Sequence, residues 1–170
     1  MEKEQRKIVF SYQTKVSDMY RFFINYSYSG LRGIINLVIS IGALVLLING
    51  ADAGYAFNKA LLIIIASLFT VINPIMLYFR AAKRVKLTPM FQQPLEYTVS
   101  EEGIMVRLKD EQSVLAWSDM FKIVEKTKDF YFYTSYTHAH ILPKEGYPEQ
   151  CDLMREIIRS YAQGTVKLKK

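Results

Sequence analysis

The chain lacks most of the features that identify small enzymes and secreted proteins. It has one cysteine, Cys151, in 170 residues, which excludes an internal disulfide and agrees with a reducing compartment. It contains no phosphate-binding Gly-x-x-x-x-Gly-Lys loop, no His-Glu-x-x-His zinc motif and no nucleophile elbow. These absences argue against nucleotide hydrolysis, metalloprotease and serine-hydrolase functions. We therefore expect no enzymatic activity and no cofactor.

The few reactive side chains have structural explanations as well as functional ones. His138 and His140 are two residues apart on a predicted strand, so their side chains face the same way and could share a metal. However, no third ligand is tied to them by a recognisable pattern. We therefore interpret both as exposed or partly packed strand histidines. Cys151 lies on the apolar face of a predicted helix, where core packing is its expected role, since a nucleophile would need a base and an oxyanion site. The sequence predicts no catalytic and no metal-binding residue.

Two long apolar runs, residues 33–51 and 60–79, contain no charged side chain. A spanning helix needs about 20 mostly apolar residues to cross the hydrocarbon core of a bilayer, and both runs have about that length. The connector between them carries only Asp52 and Lys59, whose charges cancel. The stretch 31–86 is therefore predicted to be a two-helix transmembrane hairpin.

The basic residues are concentrated beside these runs. The net charge is +6, yet residues 91–170 carry 11 basic and 12 acidic side chains and are nearly neutral. Basic residues precede the first run, and Arg80, Lys83, Arg84 and Lys86 follow the second. Positive charge marks the cytoplasmic side of membrane helices, so both termini are predicted to be cytoplasmic. The cluster of four could also attract anionic lipid, although topology alone explains it.

Small and polar residues form one stripe along each apolar run. They are Gly33, Asn36, Ser40 and Ala43 in the first run, and Ala66, Thr70 and Asn73 in the second. Small residues let membrane helices approach closely. In an antiparallel hairpin Asn36 and Asn73 lie at similar depth, so we predict an amide hydrogen bond between them. A polar substrate site beside Pro74 is the functional alternative, disfavoured because two helices enclose no cavity.

The segment 1–30 precedes the hairpin. Residues 8–13 alternate apolar and polar side chains and predict a strand that must pair with something downstream. Ser17 is a candidate cap for a helix rich in aromatic residues, which serves either as an interfacial anchor or as a lead-in to the first span. The first apolar run begins too far from Met1 to suggest a cleaved signal peptide.

Residues 91–170 predict a small α+β domain. About six alternating segments are separated by short turns, and Gly103 supplies a position for positive φ in the first turn. Pro148 opens an amphipathic helix and Gly164 ends it. If strand 8–13 joins the six, the result is a seven-stranded antiparallel barrel-like sheet capped by one helix, which is a pleckstrin-homology-like shape.

Two binding functions are disfavoured by the same domain. The aromatic block Phe130–Tyr133 resembles the stacking strands of single-stranded nucleic-acid binders, but those add a basic groove that a nearly neutral domain lacks. Core packing and cross-strand aromatic pairs explain the block. The first hairpin turn carries Glu101 and Glu102, which repel an anionic lipid headgroup. We therefore expect no nucleic-acid partner.

Three segments resemble the YcxB-like family of bacterial membrane proteins. They are Tyr97–Ile104 (Tyr-Thr-Val-Ser-Glu-Glu-Gly-Ile), Trp117–Met120 (Trp-Ser-Asp-Met) and Ile141–Lys144 (Ile-Leu-Pro-Lys), all placed after the two apolar runs. The resemblance implies a bacterial cytoplasmic-membrane protein with a pleckstrin-homology-like cytosolic domain. It implies no catalytic residues.

The sequence thus favours a non-enzymatic, membrane-anchored interaction module, with an open sheet edge or the groove beside the final helix as the contact surface for a protein or peptide. A self-protection (immunity) protein against a membrane-active peptide or toxin is one alternative. An accessory subunit of a transporter or enzyme complex is another, and homo-oligomers are compatible with each of these functions.

Overall fold

The computed structural model describes residues 6–49, 59–109 and 111–169. The chain divides into two compact units, which we call the sheet unit (1–18 and 85–170) and the helical unit (19–84). The predicted connector with Asp52, the basic Lys3 and the turn residue Asp110 lie outside the described residues.

In the described residues, the sheet unit contains eight strands in two four-stranded sheets. The first sheet has the order β1-β2-β3-β4 and the second the order β7-β6-β5-β8. The strands are β1 (Ile8–Tyr12), β2 (Leu95–Ser100), β3 (Gly103–Leu108), β4 (Glu111–Ala116), β5 (Lys122–Glu125), β6 (Asp129–Tyr133), β7 (Ala139–Pro143) and β8 (Thr165–Lys167).

The N-terminal strand β1 pairs antiparallel with β2, although the whole helical unit lies between these two strands in the sequence. Ile8 lies opposite Val99 and Tyr12 opposite Leu95. The exposure of β1 alternates, with Ile8, Phe10 and Tyr12 buried, because successive side chains point to opposite faces of a sheet. The prediction that this strand pairs downstream is confirmed.

The second sheet differs from the single barrel-like sheet that was expected. The strands predicted over 121–142 are present, but they form a separate sheet, and β8 joins its β5 edge in parallel, with Val166 opposite Ile123. The sequence did not predict β8, because a three-residue strand carries almost no periodic signal. The helix α5 (Cys151–Tyr161) lies between β7 and β8 in the chain.

Helix α5 packs its apolar face into the core of the sheet unit. Met154, Ile157 and Ile158 are buried there together with Phe130 and Phe132 of β6. The helix begins three residues after Pro148, which starts a 3-10 turn (Pro148–Gln150). Gly164 does not end the helix: a Cβ there would lie 2.4 Å from the carbonyl oxygens of residues 120 and 121. Its role is to let the C-terminal segment approach β5 closely.

The helical unit is built from consecutive helical segments. They are α1 (Val16–Tyr28, which begins in the sheet unit), α2 (Leu31–Asn49), α3 (Lys59–Ser67), a π-helical turn (Leu68–Ile72) and α4 (Asn73–Leu87, which ends in the sheet unit). Ser17 is not the cap of α1. Instead Asp18 accepts the backbone N–H of Lys15 at 2.8 Å, and its carboxylate suits the positive end of the helix dipole.

Candidate functional site

The apolar helices expose many large apolar side chains. Along α3, the π-turn and α4 the exposed large apolar side chains are Leu61, Ile63, Ile64, Leu68, Val71, Ile72, Ile75, Met76, Tyr78, Phe79 and Leu87. Soluble monomers rarely expose an apolar patch of this extent. The surface therefore suits contact with lipid or with other apolar helices.

One segment of the described chain, Lys59–Leu87 with 29 residues, is a helix long and apolar enough to cross a bilayer. A second crossing results only if Val16–Tyr28 and Gly33–Asn49, which are bent by 80°, count together as one span. Both statements rest on length and composition, and the two-helix hairpin stays a prediction.

The predicted basic cluster lies on the last turns of α4. Arg80, Lys83, Arg84 and Lys86 are all exposed. Arg80, Lys83 and Arg84 are spaced at i, i+3 and i+4, so they share one side of the helix. Cations near a helix C-terminus are favoured by the helix dipole. The arrangement places positive charge at one end of the apolar segment.

The structure does not join the two predicted asparagines. Asn73 donates its side-chain amide to Ser27 Oγ and to Tyr28 Oη, each at 3.2 Å. Asn36 is half-buried, and in the described residues no hydrogen bond links it to Asn73. The polar contact between the runs is made by Ser40, which is buried and donates to the Ile65 carbonyl at 3.0 Å.

Small residues surround that Ser40 contact. Ala43 on α2 packs with Leu62 and Ala66 on α3 in a small buried cluster. These side chains let the two backbones come close enough for a hydroxyl to reach a carbonyl of the other helix. The stripe of small residues was visible in the sequence, whereas the choice of Ser40 over Asn36 depends on the rotation of each helix.

The π-turn precedes Pro74 and changes the local hydrogen bonding. The N–H of Asn73 bonds to the carbonyl of Leu68, five residues earlier, while Pro74 has no N–H to donate. The hydroxyl of Tyr28 donates to the Phe69 carbonyl. Backbone groups that lose their helical partners need such replacements. Tyr28 and Asn73 thus form the polar contact between α1 and the break.

In the sheet unit, the edge strand β4 is the longest open edge. It has six residues and pairs only with β3 among the described strands. Residues 111–114 are all exposed, and Val114 is 52% exposed. The strand contains no proline and no basic residue, which are the usual protections of an edge. Its backbone groups are available for a further strand.

The other three edges are shorter or partly covered. β8 has three residues and β7 ends at Pro143. Along β1, Gly146 lies so close to the rings of Phe10 and Tyr12 that a Cβ would be 2.9 Å from Phe10. Lys15 also bonds to Glu145 at 2.5 Å, which holds that segment beside the N-terminal strand. The β4 edge is therefore the better contact surface for an extended chain.

An exposed aromatic group lies at one end of the second sheet. The ring of Phe121 is 5.2 Å from that of Tyr136 and 6.4 Å from that of Tyr133, and Tyr136 is 86% exposed. Lys122 Nζ lies 5.3 Å from the Tyr133 ring, in cation-π range. By contrast, Phe130, Tyr131 and Phe132 of the predicted aromatic block are fully buried. The expectation that core packing explains most of the block is confirmed for these three.

A buried charge cluster joins α5 to the second sheet, and sequence reasoning missed it. The Glu125 side chain is fully buried and receives hydrogen bonds from Arg155, Lys144 and the backbone N–H of Lys169. Burial by itself raises the pKa of Glu125, but these bonds outweigh it and hold the pKa at about 2. One feature of the sequence could have revealed it: Glu125 is two residues from the apolar Ile123 on the same strand, so both side chains lie on the buried face. Because its carboxylate oxygens already accept these hydrogen bonds, we assign Glu125 a structural role.

The side chains considered for chemistry lie apart from any built site. His138 precedes β7, is exposed, and lies 3.0 Å from Ser135 Oγ through Nδ1. His140 is exposed on β7. The Cys151 thiol lies 3.6 Å from the Tyr147 carbonyl, and burial raises its pKa, which disfavours a thiolate. In the described residues no group of three His, Cys, Asp or Glu side chains is placed to hold a metal ion.

Two comparisons connect the chain to known sequences. A family model described as YcxB-like protein matches residues 99–158. The uncharacterized protein YcxB of Bacillus subtilis (strain 168) is 28% identical over 126 residues, which cover 72% of this chain and 68% of that protein. Both comparisons support the YcxB-like family. The matched residues run from β2 to α5 and include β4 as well as Glu125, Lys144 and Arg155.

Proposed function

We propose that this protein, which is similar to the YcxB-like proteins, is a non-enzymatic interaction module anchored in the bacterial cytoplasmic membrane. The helical unit is the anchor, both termini are cytoplasmic, and the sheet unit binds a protein or peptide. One observation carries the proposal: a 29-residue apolar helix, exposed along its length, ends in four exposed basic residues. Apolar length suits the bilayer core, and basic residues suit its cytoplasmic surface.

The sheet unit further supports a pleckstrin-homology-like domain. Seven of its strands follow one another in antiparallel pairs within two sheets, and a C-terminal helix packs into the shared core. The helical unit is inserted in sequence between β1 and β2. Such a domain offers sheet edges and a helix-side groove for partners. An extended peptide added to a sheet edge gains main-chain hydrogen bonds, and side-chain contacts then select it.

The non-enzymatic part of the proposal rests on the use of the polar groups. Glu125 is saturated by its cationic partners, and Tyr12 bonds Asp18 at 3.0 Å in another buried contact. Trp117 donates Nε1–H to the Ser100 carbonyl at 3.1 Å. Polar groups committed in this way hold elements together and lack the pairing of a nucleophile with a base that covalent catalysis requires.

Membrane anchoring is tested with single cysteines in a Cys151→Ser background. Asp52→Cys lies in the predicted connector, and Ser118→Cys lies at an exposed position of the sheet unit. A membrane-impermeant maleimide should label position 52 in intact cells and position 118 only after lysis. Labelling of position 118 in intact cells, or complete release of the protein by an alkaline wash, would overturn the proposed topology.

The interaction role is tested by weighing gently extracted complexes by native mass spectrometry. A defined additional mass that belongs to another protein or peptide supports an interaction module. A monomer or homo-oligomer that carries lipid alone contradicts it and favours the self-protection alternative. In that case, expression in a strain sensitive to a membrane-active peptide should raise survival.

A further inference from the structure

We propose that three lysines at the turn between β5 and β6 bind the phosphate groups of anionic lipids at the membrane surface. They are Lys126 and Lys128 in the turn itself and Lys169 in the C-terminal segment, and we call them the turn cluster. This inference rests on the proposed membrane anchoring. It adds a lipid contact of the sheet unit at a place other than the first hairpin turn, where Glu101 and Glu102 repel anionic headgroups.

Hydrogen bonds bring separate segments of the chain together at this turn. Lys169 donates its Nζ to Thr127 Oγ1 at 2.9 Å and its backbone N–H to Glu125 Oε2 at 2.9 Å. The segment after β7 joins them, because Lys144 donates its backbone N–H to the Lys128 carbonyl at 2.9 Å. Lys169 follows Thr127 by 42 residues. The fold, and not a run of basic residues in the sequence, therefore creates the turn cluster.

The acidic side chains next to the turn are buried and engaged elsewhere. Glu125 is fully buried and is paired with Lys144 and Arg155. Asp129 is 1% exposed and accepts a hydrogen bond from the Tyr131 hydroxyl. Within the part of the chain that the structure describes, no ion pair engages a lysine of the turn cluster. The cluster therefore presents uncompensated positive charge.

The chemistry of the turn cluster suits a phosphate group. A lysine ammonium binds phosphate as a point charge. The Thr127 oxygen accepts a hydrogen bond from Lys169, so its own hydroxyl hydrogen remains able to donate to an anion. A nucleic-acid partner is disfavoured, because the cluster itself contains no aromatic side chain on which a base could stack.

The tethering of the sheet unit favours the membrane as the source of the phosphate groups. Only residues 13–15 separate β1 from α1 in the sequence, and residues 88–94 separate α4 from β2. A binding site linked in this way to anchored helices meets lipid headgroups at a high effective concentration. Each lysine near an anionic bilayer surface strengthens binding about fivefold. Three lysines then favour anionic over zwitterionic lipid on the order of a hundredfold.

Amine footprinting of the full chain tests this contact. The protein is reconstituted in nanodiscs of phosphatidylcholine, with or without phosphatidylglycerol, and mass spectrometry follows the acetylation rate of each lysine. We expect Lys128 to react roughly tenfold more slowly in the anionic nanodiscs. Lys122, at the other end of β5, is the internal reference and should change by less than about twofold, since charge effects are screened over about 10 Å. Equal rates at Lys128 in the two bilayers would overturn the proposal.

A pair of lysine variants tests whether the arrangement matters beyond the total charge. Lys169→Gln removes one charge and the bond to Thr127, so the protection of Lys128 in anionic nanodiscs should fall about fivefold. Lys167→Gln makes the same change in charge two residues earlier, at an exposed position, and should lower the protection by less than about twofold. Fluorescence of the single tryptophan, Trp117, reports whether each variant is folded. Equal effects of the two variants would contradict an organised cluster.

Soluble phosphate distinguishes a lipid surface from a site for a free phosphate. Glycerol phosphate carries the same phosphate chemistry without the bilayer. Added at millimolar concentration to phosphatidylcholine nanodiscs, it should leave the acetylation rate of Lys128 unchanged. Protection of Lys128 by glycerol phosphate would identify a small-molecule site and would overturn the assignment to lipid.

Failure of this proposal differs from failure of the proposed function. If Lys128 stays reactive in anionic nanodiscs while the protein resists an alkaline wash of its native membrane, the lipid contact is wrong and the anchor stands. If the wash releases the protein, the anchor is wrong and the lipid contact is wrong with it. Protection of Lys128 together with a selective effect of Lys169→Gln supports the proposal.

Discussion

Arg155 on α5 donates three hydrogen bonds to the carboxylate of Glu125 on β5. Its Nε lies 3.1 Å from each carboxylate oxygen, and its Nη2 lies 2.7 Å from Oε1. Lys144 completes the cation pair from the segment after β7. Fork-like contacts of this kind are directional as well as strong. The pair therefore sets where the C-terminal helix sits on the second sheet.

Acid should weaken the sheet unit through Glu125. Its pKa is about 2 in the folded protein against an ordinary value of 4.5. A lowered pKa stabilises the fold above the unfolded value, and this stability is lost as pH falls from about 4.5 toward 2. We expect a loss on the order of 3 kcal/mol from this group. Denaturant unfolding followed by Trp117 fluorescence, between pH 7 and pH 2, measures it.

A Glu125→Gln variant provides the comparison for that titration. It should be less stable than wild type at pH 7, and the difference should shrink as pH approaches 2, because the variant has no proton to bind at this site. Glu149→Gln, at an exposed position, should keep the wild-type pH dependence. A constant difference between wild type and Glu125→Gln across this range would show that ionisation of Glu125 does not stabilise the fold.

Loss of Arg155 should be more costly than loss of a neighbouring arginine. Arg155→Met removes the main partner of a fully buried carboxylate, and breaking a buried pair costs about 3 kcal/mol. Arg159→Met changes an exposed residue on the same helix and should alter stability by less than about 0.5 kcal/mol. Trp117 fluorescence in denaturant measures both. Similar losses for the two variants would mean that the Glu125 contact adds little.

Asn73 should matter more than Asn36 for the helical unit. Asn73→Leu removes the hydrogen bonds to Ser27 and Tyr28, and such bonds between membrane helices contribute about 0.6 kcal/mol on average. Asn36→Leu should change the thermal midpoint less, since its side chain is not joined to Asn73. Thermal unfolding in detergent, followed by far-UV circular dichroism, compares them. A larger decrease in the thermal midpoint for Asn36→Leu than for Asn73→Leu would instead support the predicted hydrogen bond between Asn36 and Asn73.

Gly103 should not tolerate a side chain. Its φ is +143°, and a Cβ there would lie 2.2 Å from the Leu115 carbonyl oxygen. Gly103→Ala should cost about 1–3 kcal/mol from backbone strain alone, with the clash in addition. Glu102→Ala, at the exposed adjacent position, should stay within about 0.5 kcal/mol of wild type. If the two variants unfold at the same denaturant concentration, the strained turn is not required.

Local patterns predicted a large part of the sheet unit. Strict alternation identified β1 and most strands between 95 and 142, since a sheet with one buried face imposes a period of two. Glycine at a turn predicted the positive φ of Gly103. The three-residue β8 and the division into two sheets left no periodic trace, because both depend on partners far away in the chain.

The polar contacts were harder to predict than the apolar faces. Ser40 and Ala43 of the small-residue stripe correctly indicated a close helix approach, but the bonded residue is Ser40 and its acceptor is a backbone carbonyl. Any backbone carbonyl can accept a hydrogen bond, so composition does not mark this partner. Glu125 was equally hidden, because its cations come from positions 144 and 155.

The sequence alone determined the quantities that are local along the chain: two apolar runs, the basic residues beside them, and the alternation of the strands. Each follows from a side chain's preference for water or for an apolar environment, which needs no knowledge of distant residues. Only the tertiary structure shows that β1 pairs with β2, so that Tyr12 lies opposite Leu95, 83 residues later in the chain. Only the tertiary structure shows that Glu125 is buried against Arg155. It also decided that β4 remains an open edge. These features depend on contacts between residues that are far apart in the chain. Such contacts form only when packing compensates the entropy cost of closing long loops, which happens when the whole fold forms.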